Sequence, residues 1–560
     1  MSHDEESIQY YKRRLEGLKA ARCVWEPLWR ELSDLIAPTR LRLCGQVANE
    51  RARYDKMFDA TGSFALRILA SGMHSGITSP ARPWFRLRTS DSELNAYAPV
   101  REYLGRVENR MREVFQSSNL YNAFHLGYGD LGLFGQSCAL LVEDDDHLIR
   151  MIPLIHGTFW LARNHTQVAT TLYRQFSWPL HRIVSRFGLE RCSGNIQEHY
   201  ERGNMEEVFV INHAIEPRLI REMDKADRRN KAFASVYWEE NACGEQGFLE
   251  ESGFDSNPII APAWELMADD TYASSPAMMA LPDVRALRIL QMQMGAVIQL
   301  KVNPPLMAPA SLKSGYQSVL RNPGELTYID DPTAHGLRPL FEVNLSLQEL
   351  AANISEKQMF CKRALYEDLF LMLANMEGVQ PRNAMEIAER KEEKLLAIGP
   401  VLENIHGGQL SPVIERTFSI MKEKGLLPPA PPEIGHHDLK IEYISVLAQA
   451  QKAVSTGAIE RLISFTGNLV AVKPDVLDKI DADKSVETYA ELLGVPPSLL
   501  ASDDEVTEIR RLRDEAQQHS QATSQAAQIA PALRQSAEAA RVMTQADENG
   551  GTLLEKMGIE

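Results

Sequence analysis

Several patterns that would announce chemistry or a membrane are missing from this chain of 560 residues. No stretch approaches the roughly 20 consecutive apolar residues that span a bilayer, so no membrane segment is expected. The six cysteines (Cys23, Cys44, Cys138, Cys192, Cys243 and Cys361) include no CxxC pair, which argues against a zinc ribbon, a thioredoxin motif or a disulfide scaffold. A GxxxxGK[ST] loop, whose backbone amides cradle phosphates, does not occur. Neither do an HExxH zinc helix or a GxSxG nucleophile elbow. In Gly72-Met73-His74-Ser75-Gly76 the serine comes one place too late, and the glycines read as packing positions between a helix and a loop. An excess of basic residues is missing too. The 60 Lys and Arg against 76 Asp and Glu leave a formal charge of −16. A protein that grips nucleic acid over a broad face carries excess cations, so any DNA contact here is expected to be local, weak or sliding.

What remains is the composition of a folded protein, 44% hydrophobic and 24% charged, and too long for one simple core. The start, MSHDEESIQYYKRRLEG, is polar and charged; no secretory signal is expected there, and a cytoplasmic location is. Helical periodicity runs from residue 5 to about 37, with Leu15, Leu18, Val24, Leu28, Leu32 and Leu35 near one face and Pro38 as the stop. Asp59 is placed to cap a second helix, and WFRLR reads as a short strand. Residues 99–135 read as helix, with Gly127, Gly129, Gly132 and Gly135 allowing close packing or breaks.

From about 137 to 264 the character is β. CALLVEDDDHLIRMIPL predicts a hairpin, and TQVATTLYRQF, EEVFVINHAI, FASVYWEE and FDSNPIIAPAWEL predict strands interrupted by a helix at PLHRIVSRFG. Adjacent strands without crossover helices favour an antiparallel sheet. Two long helices then follow, SPAMMALPDVRALRILQMQMGAVIQLKV, with Pro282 expected in its first turn, and SLQELAANISEKQMFCKRALYEDLFLML. A Gly-, Pro- and Ser-rich tip joins them. The stretch EGVQPRNAMEIAERKEEKLLAIGPVLENI predicts a loop and then a long charged helix kinked at Gly399-Pro400. That helix resumes, with a short break at Gly407-Gly408, and stops at Gly425 before PPAPPE. Residues 438–512 read as a compact helical region. Beyond 514 the Ala- and Gln-rich sequence is either a helical extension that packs against copies of itself or a flexible tail. The fold class is therefore α+β, predominantly α.

Candidate chemistry is thin. His436-His437-Asp438 are neighbours on a post-proline segment, where side chains do not converge on one ion. Asp144, Asp145 and Asp146 suit a solvated hairpin turn, and Glu239 and Glu240 fall under the same reading. Met278, Met279, Met292 and Met294 suit helix packing. No catalytic residue, metal ligand or cofactor is expected, and the protein is not expected to be an enzyme. One charge feature stands out: no Asp or Glu lies between Asp283 and Glu325, while Arg285, Arg288, Lys301, Lys313 and Arg321 do. That segment suits DNA contact or an interface with an acidic partner.

The order of parts, with GITSPARPWFRL, KVNPPLMAP, RNAMEIAERKEEKLLAIGPVLENI, LSPVIERTFSIMKEKGLLPP, EYISVLAQAQKAVSTGAIERLISF and LLGVPPSLL in sequence, resembles the head-to-tail connector (portal) family of podovirus-type tailed bacteriophages. The resemblance covers about residues 76–500. It implies the portal fold assembled as a ring, a dodecamer, at one capsid vertex. Double-stranded DNA would be packaged, retained and ejected through its channel. The implied partners are the terminase large subunit, the major capsid and scaffolding proteins and a tail adaptor protein, with no membrane. The implied location is the virion, with assembly in the host cytoplasm.

By chain order the resemblance implies a wing over 1–274, stem helices at 275–303 and 345–372, and a clip at 304–344. It further implies a tunnel loop at 373–383, a long kinked helix and wing return at 384–435, a crown at 436–500, and a barrel or flexible tail at 501–560. Asn375, Glu377, Gly378, Gln380, Pro381, Arg382 and Asn383 would form the loop facing DNA. Lys301, Lys313, Arg321, Lys362 and Arg363 would be basic positions of clip and stem. Two rival readings are an internal virion protein ejected with DNA and a DNA-processing enzyme subunit. The first is opposed by the Pro-bounded tip, and the second lacks a carboxylate cluster.

Overall fold

The computed structural model describes residues 3–43, 56–91, 94–95, 97–218, 221, 227–240, 248–309, 326–329, 338–339, 346–374, 398–434, 439–444, 462–467, 482–493, 506–517, 537–538 and 541. Two compact units are distinguished, Met1–Ser455 and Thr456–Glu560. In the first unit the helix expected over 5–37 is two helices, α1 (His3–Arg22) and α2 (Glu26–Ile36). Pro27 is the cause: it has no amide hydrogen to give and its ring crowds the turn before it, so the chain restarts with proline in the first turn. Val24, expected on the buried face, sits on the connecting turn and is 82% exposed.

Helices α3 (Thr61–Ile77), α4 (Ala98–Ser117) and α5 (Leu120–Phe134) build the principal core with α2. Trp29, Trp84, Phe115, Phe124 and Phe134 are all buried there. Asp59 does serve the start of α3, accepting the Thr61 amide at 2.8 Å. α5 ends at Gly135, whose φ of +79° and close approach to the carbonyls of Ala273 and Ser274 admit only glycine.

The β region is antiparallel throughout, as expected. Strands β2 (Ala139–Asp144) and β3 (Leu148–Pro153) form the predicted hairpin. Five more, β4 (Phe159–Arg163), β5 (Ala169–Pro179), β6 (Val208–Pro217), β7 (Phe233–Glu239) and β8 (Glu250–Phe254), form one sheet in chain order. Period-two alternation divides its faces. Trp160, Tyr173, Ala214 and Val236 pack under Tyr11, Leu15 and Leu18 of α1. Leu161, Leu172 and Ile215 pack on the other face against Cys138, Leu140 and Ile259. The expected strand FDSNPIIAPAWEL shrinks to β9 (Ile259–Ile260), because Pro258 and Pro262 on either side cannot donate to a ladder. Helix α6 (Leu180–Phe187) stands where PLHRIVSRFG predicted it, followed by α7 (Gly194–Glu201).

The two long helices are α8 (Pro276–Val302) and α9 (Leu347–Ala364). Pro282 is not in the first turn of α8. Ser275 caps the helix earlier, so the proline falls inside it, where the Met278 carbonyl loses its amide partner. The second predicted helix breaks at Leu365-Tyr366, with Tyr366 at φ +56°, before α10 (Glu367–Ala374). At the far end of the pair, β10 (Leu306–Pro309) lies between β11 (Leu326–Ile329), parallel to it, and β12 (Arg338–Pro339).

After residues 375–397, outside the described set, the chain resumes as α11 (Gly399–Ile405), a π-turn His406–Leu410, and α12 (Ser411–Glu423). The break anticipated at Gly407-Gly408 is thus a widened turn in a continuous helical path, with Gly408 against Pro262. Gly425, at φ +66°, ends it as expected: its amide bonds the Lys422 carbonyl and that of Leu426 bonds Met421. Strand β13 (Leu439–Tyr443) then returns to pair antiparallel with β1 (Phe85–Thr89). In the second unit, α13 (Ala482–Leu493) and a helical stretch over 506–517 are joined by Arg510 and Asp483 at 2.7 Å.

Candidate functional site

The feature that organises the first unit is the hairpin of α8 and α9. Each helix starts on a serine. Ser275 Oγ accepts the Met278 amide at 3.0 Å and donates to the Leu133 carbonyl at 2.8 Å, tying the root of α8 to the end of α5. Ser346 Oγ accepts the Glu349 amide at 3.4 Å in a Ser-x-x-Glu start to α9. Lys357 and Asp283 join the helices at 2.8 Å. Cys361 is buried beneath them, and burial first, then Asp283 and Asp59, push its thiol up to about 12, so it acts as a small apolar filler.

One carboxylate fastens this hairpin to the helical core. Besides the Thr61 amide, Asp59 accepts Gln291 Nε2 of α8 at 3.2 Å and Gln358 Nε2 of α9 at 2.9 Å. Partial burial raises its pKa, but the bonds from Thr61, Gln358 and Gln291 together outweigh that and hold it below the usual carboxylate value. Arg285 of α8 adds a bidentate pair with Glu31 of α2. At the other end of α9, Lys362 pairs with the buried Glu367 at 3.3 Å. The Phe370 ring of α10 rests directly on Gly72 of α3, where a Cβ would overlap it. The glycine of the GMHSG stretch is therefore a seat for α10, as a packing role predicts.

Of the residues singled out for the channel and for the helix kink, Lys301, Lys362, Arg363, Gly399 and Pro400 are described. Lys301 is exposed in the last turn of α8, and Lys362 and Arg363 in the last turn of α9. The register set by Lys357 and Asp283 puts Lys301 and Lys362 toward opposite ends of the hairpin, roughly 30 Å apart at the rise of a helix. Pro400 occupies the first turn of α11, where its missing amide costs nothing. The helix expected on the other side of Gly399-Pro400 lies outside the described residues, as do Asn375, Glu377, Gly378, Gln380, Pro381, Arg382, Asn383, Lys313 and Arg321. The clamp formed by Asp59, Gln291 and Gln358 carried no sequence signal beyond the cap, since its members meet only in the folded chain.

The contact between His213 and Ser235 in the sheet does not make a nucleophile. His213 Nδ1 accepts from Arg174 Nε at 2.9 Å, so the imidazole is backed by a cation where a catalytic base needs a carboxylate. Among the described residues no group of three His, Cys, Asp or Glu side chains could hold a metal ion, and no helix is long and apolar enough to cross a membrane.

The model of the family described as bacteriophage head to tail connecting protein matches residues 9–500. The chain belongs to that family. It is 42% identical over 507 residues to the probable portal protein of Bordetella phage BPP-1, covering 90% of each chain. It is 40% identical over 513 residues to the portal protein of Salmonella phage epsilon15, covering 91% of this chain and 92% of the relative. A solved structure titled as the neck of an empty GTA particle covers 78% of this chain and 91% of its own, at 12% identity and a TM-score of 0.32, a superposition too loose to bear on assembly.

Proposed function

We infer that this connecting protein is a phage portal, the channel at one capsid vertex through which double-stranded DNA is packaged, retained and ejected and to which the tail is joined. The observation that carries the reading is the match over nine-tenths of two relatives named as portal proteins. The proposed assembly is a dodecameric ring. The terminase large subunit would dock on it, with the capsid and scaffolding proteins and a tail adaptor as further partners, and ATP hydrolysis would belong to the terminase. The protein itself acts structurally, in the virion after assembly in the host cytoplasm.

Under this reading residues 275–303 and 345–372 form the stem and residues 304–344 the clip. Residues 373–383 form the tunnel loop, 1–274 and 384–435 the wing, 436–500 the crown, and 501–560 a barrel or tail. Residues Asn375, Glu377, Gly378, Gln380, Pro381, Arg382 and Asn383 would face DNA in the loop, with Lys301, Lys313, Arg321, Lys362 and Arg363 on clip and stem. The kink at Gly399-Pro400 would let one helix serve channel and rim. An acidic chain supports sliding, since a strongly basic lining would bind many phosphates and stall the duplex. Phage carrying a nonsense mutation in this gene should accumulate heads without DNA and without tails; DNA-filled, tailed heads lacking the protein would refute the reading.

A further inference from the structure

A cleft between the five-stranded sheet, the β2–β3 hairpin and α12 belongs to none of the stem, clip or loop elements. At about 1460 Å³ it exceeds the roughly 300–1,000 Å³ of small-ligand pockets, which leaves room for a length of polypeptide. Its floor includes Arg174, Tyr237 and Glu250, and His213 lies between the first two in the register of four neighbouring strands. His213 is buried and lies flat on Tyr237, ring centroids 3.8 Å apart. Because its Nδ1 accepts from Arg174, its Nε2 carries the hydrogen and donates to Ser235 Oγ at 2.9 Å. Arg174 is thus oriented by neutral groups alone, His213 and Tyr237.

The neighbouring cations are treated differently. Arg186 pairs with Glu250 at 3.0 Å and Lys231 with Asp255 at 2.6 Å. Among the described residues neither Arg174 nor Arg182 has an ion pair. Instead each guanidinium lies over an aromatic ring, Arg174 over Phe176 at 5.1 Å and Arg182 over Trp178 at 4.2 Å. Guanidinium forks set over rings and lacking counter-charges suit carboxylates. The rest of the lining, from the hairpin and α12, carries Glu143, Asp145 and Glu423, together with Arg416, whose guanidinium is taken up by the Leu141 and Ser256 carbonyls. Those carboxylates oppose a continuous polyanion such as duplex DNA while leaving isolated acidic side chains room on the arginine side.

We propose that this cleft docks an acidic peptide segment of a partner protein, with Arg174 and Arg182 taking its carboxylates and Phe176 and Trp178 covering its aliphatic parts. The assignment stands apart from the channel reading and does not depend on it. The test is fluorescence anisotropy of the full chain with a short labelled Glu-Ala repeat peptide, a Lys-Ala counterpart and duplex DNA as competitor. The acidic peptide should bind and the basic one should not. Arg174→Gln combined with Arg182→Gln should weaken binding about tenfold or more, and Glu143→Gln should leave it intact or tighten it. Arg182 is exposed, so Arg182→Gln alone provides a variant that folds, with a smaller loss in the same direction. Absence of acidic-peptide binding, equal binding of the basic peptide, or undiminished binding by both arginine variants would overturn the proposal. Displacement by duplex DNA would overturn it as well, in favour of a nucleic-acid site.

Discussion

Asp59 gathers three donors from three segments, two of them on residues 232 and 299 positions further along the chain. Asp59→Ala leaves Gln291 and Gln358 without their acceptor, and should cost about 2 kcal/mol, read as a lower denaturant midpoint. The sign with pH follows from the depressed pKa. A carboxylate held below its unfolded value adds stability that is complete above about pH 4 and is lost as pH falls through the folded value. Asp59→Asn should therefore flatten the acid side of the stability profile; an unchanged acid limb would contradict the clamp. Gly72 tests the seat of α10 in the same way. Gly72→Ala should cost about 1–3 kcal/mol by driving Phe370 off α3. Most of that cost should vanish in a Phe370→Ala background, and additive losses would mean the two do not touch.

At the scale of elements, local signals were legible where residues answer to their neighbours in sequence. The acidic turn of β2–β3, the cap preceding α3 and the stop at Gly425 all came from composition within a few residues. What escaped depends on partners far away. The pairing of β1 with β13 joins residues 350 or more positions apart, and neither strand carries a mark of the other. The break at Leu365-Tyr366 lies in an unbroken helical pattern; Tyr366 packs against Trp264, a contact that periodicity cannot reveal. Pro27 and Pro282 show how a proline is misplaced when the start of its helix is. The hairpin can be tested through Asp283 and Lys357, both partly exposed. Either Asp283→Lys or Lys357→Asp alone should cost under about 1 kcal/mol at moderate salt, and the double exchange should restore most of it. Failure of the exchange to recover stability would mean that this pair does not hold α8 and α9 together.

For the whole molecule, the family was readable from extended motifs, while the loop proposed to face DNA lies outside the described residues. The charges proposed for the stem and the loop can still be tested in function. Charge reversal at Lys362, Arg363 or Arg382 should impair DNA packaging or retention while rings still form; normal packaging by such variants would separate these residues from the channel. The central claim concerns assembly. Native mass spectrometry of the purified full chain, with electron-microscope class averages of the same sample, measures it most directly. A closed ring of about a dozen copies around a central hole is the predicted result. A species that stays monomeric or dimeric even when supplied with its scaffolding protein would contradict it.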